Sequence, residues 1–341
     1  MNEAFAIELL VAAFAGGAFG AAIGALPAFA FTGVLVIVGE TLAIARRSIA
    51  PEAALPPITE AIAFGVVFGP HVSFAGGAAA AAYAAKRGYL TGPFPYHPAK
   101  YVTGGLGTRP DVLLVGGAFG VLGHAVASGS LAFGGPWDPI AMGVVLSAFA
   151  HRAVFGYDLV GTVRTGGWLD VTVPRGTDPS TDGGRPIVEP WLPHQCRWRD
   201  VTSIGVIVGI LGAYLAYLTG SAFLAFGIAA ATLVYTNAGV DRIPITHHIA
   251  LPASTVTLAL AGGSSDPAAI AVAVPLGIAL LAGAAFGVFG ALVGELAQRL
   301  LYAHAETHLD PPAASIVVTT LAIALLAWAG VLETTVWIPH P

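Results

Sequence analysis

AFAIELLVAAFAGGAFGAAIGALPAFAFTGVLVIVGETLAIA, residues 4–45, decides the class of fold, because only Glu8 and Glu40 carry charge in it. A helix needs about 20 apolar residues to cross the hydrocarbon core of a bilayer, so this stretch is long enough for two crossings. The rest of the chain has the same character. Of its 341 residues, 56% are hydrophobic and 10% charged, with a mean hydropathy of +0.80. A soluble domain carries about a quarter charged residues and needs them for its surface. The expected fold is therefore an all-α polytopic integral membrane protein, multi-pass, in the cell (plasma) membrane, with the lipid bilayer as its first partner.

The start, MNEAFAIELLVAAFAGG, has no basic n-region and no small-residue cleavage site, and reads as a first membrane helix rather than a removed signal. Cys196 is the single cysteine, which excludes an internal disulfide. The net charge of -5 comes without a basic stripe, so no nucleic acid is expected as a partner.

Three pairs of segments recur in the same order. PITEAIAFG (57–65) matches PITHHIALP (244–252), AFGVLGHAV (118–126) matches AFGVFGALV (285–293), and DPIAMGVVL (138–146) resembles DPPAASIVV (310–318). Their spacing drifts between roughly 165 and 190 residues, about half the chain, which is the pattern of a tandem duplication. Two membrane repeats at 1–157 and 200–341 follow, joined by 158–199. That linker is the longest polar stretch, and reads as an extramembrane, cytoplasmic loop with a hairpin in its Val/Thr-rich piece.

Candidate spans are 4–24, 28–46, 60–85, 111–128, 138–155, 202–219, 221–238, 245–262, 276–299 and 311–331. That gives eight to ten membrane helices, depending on two unusual segments. FGPHVSFAGG interrupts 60–85, and 245–262 is short and carries Pro252. Interrupted segments at matching places in two repeats point to a transporter binding site. If both cross, the repeats are inverted, and twelve of the fourteen Lys and Arg share one side, Arg46 and Arg47 excepted. If both are re-entrant, the repeats are parallel and only Arg299 stands apart. The Arg46-Arg47 pair abuts a span, which tilts the balance towards re-entrant segments.

Ionisable and hydroxyl groups at membrane depth carry the functional expectation. His247 and His248 are neighbours, about 100° apart on a helix, and lack the spacing of three or four that helical metal sites use, so no metal is assigned. Glu60 stands where His247 stands in the shared Pro-Ile-Thr frame, and Thr59 and Thr246 are natural N-caps. His71 and Ser73 sit at the chain break, where freed backbone groups must be buried in protein or line a wet cavity. Ser254, Thr255 and Thr257 follow Pro252, and either contact a solute or bond back to their own helix. Glu40 and Glu295 read as snorkelling groups, Asp138 and Asp310 as helix caps. Ladders such as Gly16, Gly20, Gly24 and Gly283, Gly287, Gly290 suit a tight bundle or a homo-oligomer interface.

No nucleotide-binding glycine loop, cysteine cluster or hydrolase motif is present, and neither an enzyme nor a cofactor is expected. The sequence favours a secondary transporter or channel for a small polar solute or ion, its path lined by Glu60, His71, Ser73, His247, His248, Ser254, Thr255 and Thr257. The other class is a non-transporting membrane subunit or scaffold whose 158–199 loop docks a partner.

Overall fold

Helix boundaries follow from local chemistry. Asp138 caps the helix that Pro139 begins, accepting from the amides of Ile140 and Ala141 at 2.8 and 3.2 Å. Asp310 caps another the same way through Ala313 at 2.8 Å. Proline at the first position costs no bond there, and left-handed glycines at Gly134, Gly156 and Gly220 close three helices.

The computed structural model describes residues 3–49, 56–91, 97–163, 167–171, 196–240 and 242–339. All regular elements among them are helical. The first half holds α1 (Ile7–Ile23), α2 (Ala25–Ile49), α3 (Ser73–Lys86), α4 (Pro110–Phe133) and α5 (Pro139–Phe155). The second holds α6 (Trp198–Thr219), α7 (Leu224–Ala231), α8 (Val234–Asn237), α9 (His247–Leu260), α10 (Pro267–Ala273), α11 (Leu276–Ala297) and α12 (Pro311–Trp328). The Val/Thr-rich piece at 170–174, where the sequence suggests a hairpin, lies mostly outside the described residues.

Among the described residues, five helical stretches are long and apolar enough to cross a membrane: Ala25–Arg47, Pro110–Phe133, Trp198–Thr219, Leu276–Tyr302 and Pro311–Trp328. Their packing is inside-out relative to a soluble bundle. α6 buries Gly205, Gly209, Gly212 and Ala213 while Ile207, Ile210, Leu211 and Leu218 face outwards. Lipid tails are as apolar as leucine, so helices associate by close backbone approach, and small residues belong inside. A Cβ at Gly17 would collide with the backbone of Gly116 and Gly120, and one at Gly209 with that of Gly283. The glycine ladders are thus filled by contacts within the chain.

Residues 60–85 are interrupted, as the sequence predicts: a π-helical turn (Thr59–Ala63) and a run of turns precede α3. Pro252, by contrast, does not interrupt α9, which runs unbroken from His247 to Leu260. Proline leaves the carbonyl four residues earlier, on His248, without its helical partner. Gly290 of α11 lies directly against that carbonyl, at a place where a Cβ would come within 2.7 Å.

Helix directions are set by contacts at both ends. Arg47, late in α2, donates to the carbonyl of Thr219, just ahead of α7, at 2.6 Å. Asn237, ending α8, donates to Thr103 at 2.5 Å, and neighbouring Val102 accepts from Leu26 at the start of α2. α2 therefore runs antiparallel to α7 and α8. α5 and α12 are likewise antiparallel, with the amide of Asp138 on the Thr320 hydroxyl at 3.0 Å and His151 on that of Thr307 at 3.1 Å. The largest buried core, including Phe29, Phe74, Val144, Phe226, Leu251 and Ile316, forms where these pairs meet.

Candidate functional site

A cavity of about 180 Å³ opens inside that core. Leu26, Phe29, Phe74, Asp138, Ala141 and Val144 line it from the first half; Phe223, Phe226, His247, Leu251, Asp310, Ala313 and Ile316 line it from the second. Six aromatic side chains form a continuous belt around it. Phe74 meets Phe29 at 6.1 Å between centroids, Phe29 meets Phe226 at 6.0 Å, and Phe226 meets Phe64 at 5.7 Å. Phe64 then meets Phe223 at 5.2 Å and Phe223 meets Trp337 at 5.1 Å. Tilted and edge-on pairs at these separations are the favourable arrangement for rings.

A polar strip interrupts the aromatic wall. His247 is the first residue of α9, held between Phe29 and Phe226 with centroids 4.7 and 5.6 Å away. It is 4% exposed and its Nδ1 has no hydrogen-bond partner among the described residues. Gln298 opens the π-helical turn that ends α11, is 7% exposed, and has the same deficit at Nε2. Single π-helical turns concentrate at functional sites. His308 Nε2 lies 3.5 Å from Asp310 Oδ1, while Asp310 Oδ2 caps α12. Asp138 faces the same cavity from the start of α5.

Of the sequence-selected residues, His247 is the one that lines this cavity. His248 lines a smaller neighbouring space with Glu295 and Gln298. His71 is buried elsewhere: its ring lies 6.4 Å from that of His124, and its carbonyl lies where a Cβ of Gly123 would go. Glu60 is exposed on the π-helical turn. Thr59 caps nothing; its hydroxyl donates to Glu40 at 2.7 Å, and Ser221 donates to the other Glu40 oxygen at 2.6 Å. Glu40 is thus a buried bridge between the halves, where the sequence suggested snorkelling. Glu295 is buried too, paired with Arg299 at 2.6 Å. Ser73, Ser254, Thr255 and Thr257 all donate to carbonyls of their own chain segment, four residues back in each case. Among their two readings the hydroxyls take back-bonding, and the indole of Trp337 donates to Thr255 at 3.0 Å.

Sequence reasoning missed the floor of the site. Fully buried Arg152 donates to the carbonyls of Leu159, Leu301 and Thr307 at 2.6, 2.8 and 3.1 Å and to the Thr307 hydroxyl at 3.0 Å. Buried Lys100 sits 3.9 Å above the Tyr302 ring and donates to the Tyr302 carbonyl at 3.0 Å. Together they fix the 298–309 segment that carries Gln298 and His308. The available signal was HLDPP at 308–312, where a histidine and an aspartate share a helix start. Among the described residues no three His, Cys, Asp or Glu side chains converge as a metal shell.

Over residues 1–341 the sequence matches the model of DUF7973, a family of unknown function. The chain belongs to that family. No curated protein and no solved structure matches it.

Proposed function

We propose that this member of DUF7973 is a secondary transporter or channel of the cell membrane, passing a small solute through the cavity between its halves. The observation that carries the reading is how the cavity is shared. Asp138, Pro139, Ala141 and Val144 line it from α5, and Asp310, Pro311, Ala313 and Ile316 line it from α12. These are the same four positions of the repeated DP segment. The halves are then copies of one helical unit.

The antiparallel pairing of α2 with α7, and of α5 with α12, favours inverted rather than parallel copies. Glycine contacts support a register for α3 and α9: Gly123 abuts the His71 carbonyl and Gly290 the His248 carbonyl. Likewise Gly20 abuts Ser73, and Gly212 abuts Ala250. In this reading His71 matches His248, and the PIT frame that pairs Glu60 with His247 is out of register. Inverted repeats around a midplane site are the architecture of alternating access. The basic end, with Lys100, Arg152 and Arg299, then faces the cytoplasm, and Arg47 lies at the opposite end of α2.

Uptake into proteoliposomes, followed for a panel of small amines, amino acids, carboxylates and inorganic ions, tests this. At least one solute should cross, and His247→Ala should slow it by about tenfold or more while the variant still elutes as a folded species. Absence of flux for every solute would return the chain to the other class, a non-transporting membrane subunit.

A further inference from the structure

We propose that the central cavity is a binding site for a small organic cation with an apolar body, an alkyl- or arylammonium. The inference deepens the transport reading and rests on it for the ligand's passage, but binding is measured without transport.

Two features of the cavity select charge. Asp138 and Asp310 both line it, and among the described residues its basic groups are the imidazoles of His247 and His308, with no Lys or Arg. Each carboxylate gains from the helix N-terminus it caps. Asp310 has the His308 imidazole 3.5 Å away, but among the described residues no basic side chain pairs with Asp138, and uncompensated charge at membrane depth is costly. A bound cation offsets that cost.

The wall selects shape. Six aromatic residues line the cavity, and aromatic walls attract quaternary and protonated amines through the ring quadrupole. An inorganic cation would leave most of the 180 Å³ unfilled. An anion would meet two carboxylates.

Two further side chains are waiting for a ligand. His247 and Gln298 line the cavity and are at least nine-tenths buried, and His247 Nδ1 and Gln298 Nε2 have no hydrogen-bond partner among the described residues. Buried polar atoms are rarely left so. Neutral imidazole accepts an ammonium N–H, and the amide serves a hydroxyl or carbonyl on the same molecule.

Titration calorimetry of the purified full chain in nanodiscs, with benzylammonium as probe, decides the matter. Saturable binding is expected, with phenylacetate and benzyl alcohol each binding at least about tenfold more weakly. Asp138→Asn and Asp310→Asn keep the helix caps, since asparagine caps as well as aspartate. Each should weaken the probe about tenfold, and the pair should abolish binding. If either fails to fold, Trp337→Leu replaces it and should weaken the probe by removing one ring. Equal binding of phenylacetate or benzyl alcohol, or unchanged affinity in the folded variants, would overturn the cation site. Flux of another solute without probe binding would sink this inference and leave transport standing; probe binding without flux would do the reverse.

Discussion

The backbone amide of Asp138 donates to the hydroxyl of Thr320, 3.0 Å away and 182 residues later. The bond ties the first turn of α5 to the middle of α12, and it holds one cavity-facing aspartate from the opposite half of the chain. Contacts of this kind add direction to the apolar core that the two halves share. The cavity is built from elements distant in sequence, so its shape depends on a few buried polar ties.

Arg152 is the largest such tie. Replacing it with methionine keeps much of the volume but leaves the carbonyls of Leu159, Leu301 and Thr307 without their donor. Stranded buried acceptors cost about 1–3 kcal/mol each where water cannot enter. Arg152→Met should therefore destabilise the protein by on the order of 3 kcal/mol, read as a fall in melting temperature in detergent. Arg152→Lys should recover only part of it, because an ammonium cannot reproduce the planar fork of donors.

Two glycines of α4 should respond oppositely to the same substitution. A Cβ at Gly123 would run into the carbonyl of His71, which is backbone and cannot swing aside. Gly129 has nothing within 4 Å of that position. Gly123→Ala should lose about 2 kcal/mol through overpacking. Gly129→Ala should be neutral or gain up to about 1 kcal/mol from helix propensity. Thermal melts of the two variants side by side check this, and equal behaviour would contradict the packing described for α3 against α4.

The membrane class and most helices were legible because hydropathy over 20 residues is a local property. The DP starts were legible for the same reason: aspartate before proline caps a helix whatever lies beyond it. The cavity was not legible. Asp138 and Asp310 read as caps, which they are, and only the fold shows that both caps open on one space. PITE and PITH look alike, yet the two frames differ in the fold: Thr59 donates its hydroxyl to Glu40 and Glu60 is exposed, whereas His247 is buried. Pro252 misled because a proline break depends on what meets the freed carbonyl, and glycine in another helix meets it here.

Function should follow burial rather than motif. His247 lines the cavity, whereas Glu60 is exposed on its turn. His247→Ala should lower solute flux by about tenfold or more, as loss of a polar group at membrane depth does. Glu60→Gln should leave flux within about twofold of the parent. Proteoliposome uptake with matched protein amounts makes the comparison, and a larger loss for Glu60→Gln would move the pathway back to the PIT frame.

Cys196 reports both pH and side. Arg299 holds its carbonyl at 2.6 Å, so the thiol sits where the loop meets the end of α11. Burial and, after it, the neighbouring Glu295 carboxylate push its pKa above the ordinary thiol value. Thiolate is the reactive form, so a raised pKa slows alkylation at neutral pH. Labelling by a maleimide should be slower than in the unfolded chain at pH 7, and should climb about tenfold per pH unit while the thiol stays protonated. Ile49 is 82% exposed at the far end of α2, so Ile49→Cys offers a second, accessible thiol. In sealed inside-out vesicles a membrane-impermeant maleimide should reach Cys196 but not the cysteine introduced at Ile49, and right-side-out vesicles should give the reverse. Labelling of both from one side would contradict the inverted arrangement proposed for the two halves.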